Sequence, residues 1–281
     1  MQTLAQIRAM LEERGLAPRK SLGQNFLIDH NLIRKLVDAS GVGPGDAILE
    51  VGPGTGALTD ELLARGCAVV ACELDRGLAA MLRERLADPQ SALGAPPTAS
   101  FRLIEGDCLA SKRKLSPEVE AALSGKPFRL VANLPYGAAT PVLLALLCDH
   151  PECSGAFVTI QREVADRLLA KPSTKEYGPI SVVAQAMCQV ERIAVLPPEC
   201  FWPRPDVTSA MVSLTRRTSP LVSHPAKLAD FCQTAFSKRR KQLGAVLGRT
   251  VPWPEGVRPE NRIEELSVDR IIALAGAVAS L

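Results

Sequence analysis

From Ala47 onward, short apolar runs alternate with stretches of helical periodicity. The runs are Ala47 to Val51, Ala68 to Cys72, Phe101 to Ile104, Phe128 to Ala132 and Phe157 to Ile160. Strand-like runs separated by helical patterns predict an α/β fold, Rossmann-like and mostly parallel. Two later runs, Val190 to Leu196 and Ala210 to Leu214, are joined through the Pro-rich stretch Pro197 to Pro205. That link is too short for a crossover helix, so these strands are expected to pair antiparallel.

Ahead of the sheet, Leu4, Ile7 and Leu11 recur at helical spacing and predict an amphipathic helix over 2–14, ending near Gly15. A basic, loop-like stretch follows from Arg19 to Leu27. A second helix is expected from His30 to Ser40, stopped by Gly41-Val42-Gly43-Pro44-Gly45. Residues 88–100, rich in Pro, Gly and Ala, are expected to form a surface loop. Beyond Arg216-Arg217-Thr218-Ser219-Pro220 the strand signals stop. Helices are predicted over 226–236, 238–247, 259–265 and 268–279, the last behind a Ser267 cap. The expected organisation is one α/β domain over 1–217 and a small helical domain over 218–281.

Composition narrows the class. The chain has 281 residues, 47% hydrophobic and 22% charged, enough for a large domain plus a small one. No apolar run approaches the ~20 residues that cross a bilayer, and the tail from Ile271 to Leu281 is too short. Residues 1–20 carry Arg8, Glu12, Glu13 and Arg14 without the apolar centre of a signal peptide, so a cytoplasmic location is expected. The eight cysteines contain no Cys-x-x-Cys pair and are expected as buried free thiols. Cys148-Asp149-His150 with Cys153 lacks a second ligand pair, so no metal is expected. A net charge of +3 permits nucleic-acid binding without requiring it.

The candidate chemistry lies at the strand ends. Glu50-Val51-Gly52-Pro53-Gly54-Thr55-Gly56 turns a strand into a helix, and Gly52 and Gly54 let the backbone approach a ligand at the sheet edge. Alone, such a turn is compatible with NAD, FAD or S-adenosylmethionine, or with a plain connection. Glu73 ends the second strand, where a carboxylate accepts from ribose hydroxyls. Asp107, beside Cys108, ends the third and is placed to accept from an adenine amino group; each acid alone reads as a solvated loop residue, and it is their occurrence with the glycine turn at successive strand ends that points to a site. The Gly-x-Gly-x-Gly spacing departs from the dinucleotide pattern, and S-adenosylmethionine has no pyrophosphate to cradle. Glu50 either faces its sulfonium or bonds the turn's own backbone.

Asn133-Leu134-Pro135-Tyr136 ends the fourth strand. An exocyclic adenine amine is a weak nucleophile because its lone pair is delocalised. Acceptors that hold its N–H bonds favour a pyramidal nitrogen. The Asn133 side-chain oxygen and the Leu134 carbonyl are the candidate acceptors, and Tyr136 is the platform for a base turned out of its stack.

These motifs, with Ser21 to Leu27, Gln161 to Val164, Tyr177 to Val182, Phe201 to Val207 and Phe236 to Lys241, resemble the KsgA (RsmA) family of rRNA adenine dimethyltransferases over nearly the whole chain. The resemblance implies S-adenosylmethionine as cofactor, contacted by Gly52, Glu73, Asp107 and Asn133, with Asn25 and Leu27 closing its pocket. It implies Phe201 as a second aromatic surface near the adenine; the residue-level alternative is a core position in the Pro-rich link. It also implies dimethylation of two adjacent adenines in the 3′-terminal hairpin loop of small-subunit rRNA, on an assembling subunit; the protein itself is expected to be a monomer. Lys238, Arg239, Arg240 and Lys241, expected at a helix start, are the candidate phosphate contacts. Residues 88–100 and 110–127, the latter with Lys112-Arg113-Lys114, are longer than the family's usual connections; they flank the Asp107 strand, where they are placed to alter RNA contacts without touching the chemistry. An erythromycin-resistance-type enzyme acting on large-subunit rRNA and a non-catalytic rRNA-binding assembly factor are the alternatives.

Overall fold

The computed structural model describes residues 2–248 and 250–279. Ser280 and Leu281, the end of the apolar tail and of the expected C-terminal domain, lie outside the described residues.

Seven strands form the main sheet: β1 (Ala47–Val51), β2 (Ala68–Glu73), β3 (Ser100–Glu105), β4 (Phe128–Asn133), β5 (Cys153–Gln161), β6 (Cys188–Leu196) and β7 (Ser209–Arg216). Their spatial order is β3-β2-β1-β4-β5-β7-β6. The first five run parallel. β7 lies antiparallel to both β5 and β6, as the short Pro-rich link requires. The strand order reverses between β1 and β4, so their carboxyl ends open a crevice there, the usual ligand position in a doubly wound sheet.

Both faces of the sheet are covered, which explains the unbroken apolar runs. Leu49, Leu130, Val158 and Val212 point into one buried cluster, beneath the helices Ala139–Asp149 and Pro179–Met187. Ile48, Val69, Val131 and Met211 point into the opposite cluster, with Leu36 and Leu62 from the helices His30–Ser40 and Ala57–Ala64. Successive strand residues thus serve different layers.

Local signals set the helix ends. Thr3 and Gln6 form a reciprocal capping box on Leu4–Glu12. The Asp29 carboxylate accepts from Asn31 and Leu32 N–H, and Gly41 at φ 61° ends the same helix.

The structure corrects several expectations. Residues 88–100 contain a helix, Pro89–Leu93, capped by Asp88 and closed by Gly94, with Leu93 packed on the second cluster. The helix expected over 238–247 shrinks to Leu243–Leu247, and residues 237–240 form turns. The segment 259–265 holds only the short 3-10 helix Ile263–Glu265. β5 begins four residues before Phe157, because its start is paired on both sides, by Phe128 in β4 and Thr215 in β7. A small antiparallel hairpin, Leu109–Ser111 with Lys114–Leu115, lies in the stretch read as a long connection. In the basic N-terminal stretch, Phe26–Leu27 pairs antiparallel with Phe201–Trp202.

The third cluster draws on both sides of residue 217. Leu228, Cys232, Phe236 and Leu274 pack with Tyr177, Val182 and Ala186. The Tyr177 ring meets Phe236 edge-on at 5.8 Å, and its hydroxyl donates to the Leu266 carbonyl at 3.1 Å. The C-terminal helices are thereby fixed against the wall of the crevice. Among the described residues, no helix is long and apolar enough to cross a membrane.

Candidate active site

A cavity of about 1300 Å³ opens at the carboxyl ends of β1, β2, β3 and β4. It contains the Gly52 turn, Glu73, Asp107, Cys108 and Asn133 through Tyr136, together with Asn25 and Leu27 from the N-terminal strap. All candidate cofactor residues therefore reach one space.

The glycine turn is shaped by its neighbours. Gly52 and Gly54 both have positive φ, at 71° and 61°. A Cβ on Gly52 would lie 2.9 Å from the Pro135 ring, and one on Gly54 would lie 2.8 Å from the Phe26 ring. Close packing between the turn, the Asn133 to Tyr136 segment and the strap thus demands glycine as much as backbone conformation does.

Glu73 is buried and accepts the Gly54 N–H at 3.0 Å and the Asp75 N–H at 2.9 Å, on different oxygens. A carboxylate has about four acceptor positions, so capacity for hydroxyl donors remains. Burial pushes its pKa above the ordinary carboxylate range, opposed by those two N–H donors. Glu50, 1% exposed, accepts from the Thr59 hydroxyl at 2.7 Å. Its burial pushes the carboxyl up to about 8, with Asp60 and Glu73 adding to the rise and Thr59 and Arg85 opposing it. A cation placed here would relieve that desolvation, so the residues present suit a ligand with positive charge and hydroxyl groups. Asp107 is exposed, and its carboxylate accepts the Leu109 N–H at 2.9 Å, which orients it at the hairpin's entry.

Asn133 donates its side-chain N–H to the Asn25 carbonyl at 3.0 Å. A carbonyl only accepts, so the amide nitrogen must face Asn25 and the Asn133 oxygen is left to accept from elsewhere. Leu134 donates its N–H to the Thr159 carbonyl at 3.0 Å, fixing the next peptide to β5. The Tyr136 hydroxyl is 3.0 Å from the Ser209 hydroxyl, which anchors the half-buried ring at the cavity wall.

Two expected contacts fall elsewhere. Phe201 is 3% exposed within the second cluster and is absent from the cavity lining, because its pairing with Leu27 turns it into the core. Its core alternative is the one the structure supports. Arg239 is engaged by the Glu264 carboxylate and by the carbonyls of Lys175 and Thr174. Lys238, Arg240 and Lys241 are exposed around it, in turns rather than along a helix.

The family model described as ribosomal RNA adenine dimethylase matches residues 15–279. The chain belongs to that family. Its members are methyltransferases, and the curated relative from Moorella thermoacetica, ribosomal RNA small subunit methyltransferase A, is 40% identical over 247 residues, covering 85% of this chain and 82% of the relative. Among solved structures, a dimethyladenosine transferase from Plasmodium falciparum shares the fold at a TM-score of 0.70 and 22% identity, covering 88% of this chain and 94% of that one. The 23S rRNA methyltransferase ErmE aligns at 0.66 and 25% identity, covering 91% and 100%.

Other residues at and behind the cavity were not among the candidate site residues. Leu74 is 52% exposed at the rim, an apolar surface directly after Glu73. Gln2 and Arg85 both donate to the Thr55 carbonyl and both hold Asp60, tying the N-terminus and a neighbouring helix to the glycine turn. Their separations along the chain hide that network. Lys112 and Arg113 also line the cavity, with Asp230 opposite on the helix Pro225–Phe236.

Proposed function

We propose that this protein is a small-subunit rRNA adenine N6,N6-dimethyltransferase that uses S-adenosylmethionine. The observation that carries the proposal is the Asn133 amide, held by its nitrogen to the Asn25 carbonyl with its oxygen left to accept, in the same cavity as Tyr136, Glu50, Glu73 and Asp107. Gly52, Gly54, Glu73, Asp107 and Cys108 would hold the cofactor, with Asn25 and Leu27 closing its pocket. S-adenosylmethionine, when bound, supplies an electrophilic methyl group.

Tyr136 stacks the adenine that has left its helix, and the Asn133 oxygen and Leu134 carbonyl accept its two amine N–H bonds. Holding those bonds in the transition-state geometry lowers the cost of pyramidalising nitrogen, a preorganised electrostatic contribution. Transfer would break the sulfonium's S–C bond as the N–C bond forms and leave a neutral thioether; the nitrogen then carries positive charge and its proton is readily lost to solvent, so no strong base is required. In a second round the monomethylated amine has one N–H left, so one of the two acceptors holds it while the other faces the methyl group already added.

The substrate is proposed as two adjacent adenosines in the 3′-terminal hairpin loop of small-subunit rRNA within an assembling subunit, with the enzyme acting as a cytoplasmic monomer. Lys238, Arg240 and Lys241 are proposed phosphate contacts. The likeness to ErmE supports large-subunit rRNA as the second reading. Incubating the protein and labelled cofactor with undermethylated small and large subunits, then locating the modified nucleosides, decides between them. Label confined to adjacent small-subunit adenosines is expected; label on the large subunit alone overturns the first reading.

A further inference from the structure

We propose that the hairpin at 109–115 is a phosphate-binding arm, which holds the RNA backbone beside the target base through Lys112, Arg113 and Lys114. The inference rests on the RNA-modifying reading above and assigns that site a contact outside the cofactor pocket and outside the C-terminal cations.

Three observations converge on it. The arm is rigidly joined to the cofactor side of the cavity. Asp107 accepts the Leu109 N–H at its base, Ser116 N–H donates to the Cys108 carbonyl at 2.8 Å, and Leu115 is buried. Both strands of the arm are therefore tethered beside the cofactor end of the cavity. Cations also reach the cavity. Glu50, Glu73 and Asp107 line it, Lys112 and Arg113 line the same space together with Asp230, and Lys114 is exposed beside them. The arm thus brings three cations to a site whose buried acids suit a cationic cofactor, as a polyanionic substrate requires.

The third observation concerns Arg113. Its guanidinium meets the Asp230 carboxylate at 2.8 Å, and both side chains remain solvent-accessible. Asp230 lies on Pro225–Phe236, so the pair links the arm to the C-terminal helices across the cavity. An exposed pair of this kind is weak, and a guanidinium can exchange a carboxylate for the bidentate geometry of a phosphate at little cost. RNA in the cavity would take Arg113 from Asp230.

The test uses the full-length protein with an undermethylated small subunit across a salt series. The variant K112Q/R113Q/K114Q should weaken subunit binding and flatten log K against log salt by about 0.7 for each single-stranded RNA phosphate that is no longer neutralised. S-adenosylmethionine affinity should not change, and KM for the subunit should rise more than kcat falls. Asp230→Asn separates this from a structural clamp. Releasing Arg113 should leave RNA affinity equal to wild type or higher, whereas a clamp would make Asp230→Asn and Arg113→Gln weaken binding alike. Unchanged affinity and slope in the triple variant, or parallel losses in the two single variants, overturns the arm. A wild-type protein that methylates neither subunit overturns the functional reading, and the arm with it.

Discussion

The side-chain amide of Asn133 donates to the backbone carbonyl of Asn25 at 3.0 Å, a bond between residues 108 positions apart. The N-terminal strap thereby holds the nitrogen of the Asn133 amide, and under the proposed mechanism this leaves the oxygen to accept from the substrate. The two residues act as one device: removing either the amide or the strap loses the orientation of the acceptor.

Asn133→Ala is expected to lower kcat by roughly 100- to 1000-fold, the usual loss for one preorganised hydrogen-bonding group, with little change in RNA affinity. Tyr136→Phe should retain stacking and lose only the anchor to Ser209, whereas Tyr136→Ala should lose about 1 to 3 kcal/mol of base stacking. Single-turnover methylation rates beside subunit titrations measure both. Wild-type rates in Asn133→Ala and Tyr136→Ala would remove the amine-methylation mechanism.

Glu73→Ala should weaken cofactor binding by roughly 1.5 to 3 kcal/mol for each charge-assisted bond removed. It also strips acceptors from the Gly54 and Asp75 N–H groups, so a small loss of melting temperature is expected as well. Calorimetry with S-adenosylmethionine checks the first effect, and an unchanged dissociation constant would take Glu73 out of the site.

The Glu50 carboxyl, ordinarily near 4.5, is held up to about 8 in the folded protein without ligand. The folded state therefore binds more protons than the unfolded chain between those values, and stability should fall as pH rises through that window. Binding a sulfonium favours the ionised carboxylate, so cofactor affinity should rise as pH approaches 8. Glu50→Gln should flatten both trends. Thermal melts and cofactor titrations from pH 5 to 9 would show it; a mutant with the wild-type pH profile places the dependence elsewhere.

Arg239→Gln should destabilise the C-terminal helices by about 1 to 3 kcal/mol, since it leaves Glu264 and two carbonyls without their guanidinium. Replacing Lys238, Arg240 and Lys241 with Gln should instead weaken RNA binding and reduce its salt dependence at unchanged melting temperature. Melting curves and salt-dependent titrations on the two variants separate the roles. A normal melt for Arg239→Gln would contradict the anchoring function.

The alternation of strand and helix, the antiparallel turn of the last strand, and the glycine turn, acids and Asn133 segment at strand ends are all legible in the amino-acid order. Those features are local: period, turn chemistry and link length are written in consecutive residues, and sheet topology then carries the strand ends to one edge. What each side chain has left to offer emerges only on folding. Phe201 reads equally as an aromatic surface or a core position until its pairing with Leu27 places it in the core. The four cations from Lys238 look alike until Glu264, many residues away, claims Arg239. Lys112 and Arg113 read as part of a long connection able to alter RNA contacts, and only folding sets them in a hairpin against the cavity, with Arg113 on Asp230. Each outcome turns on a partner distant in sequence, and pairing across such distances is fixed only when packing brings the groups within hydrogen-bonding reach.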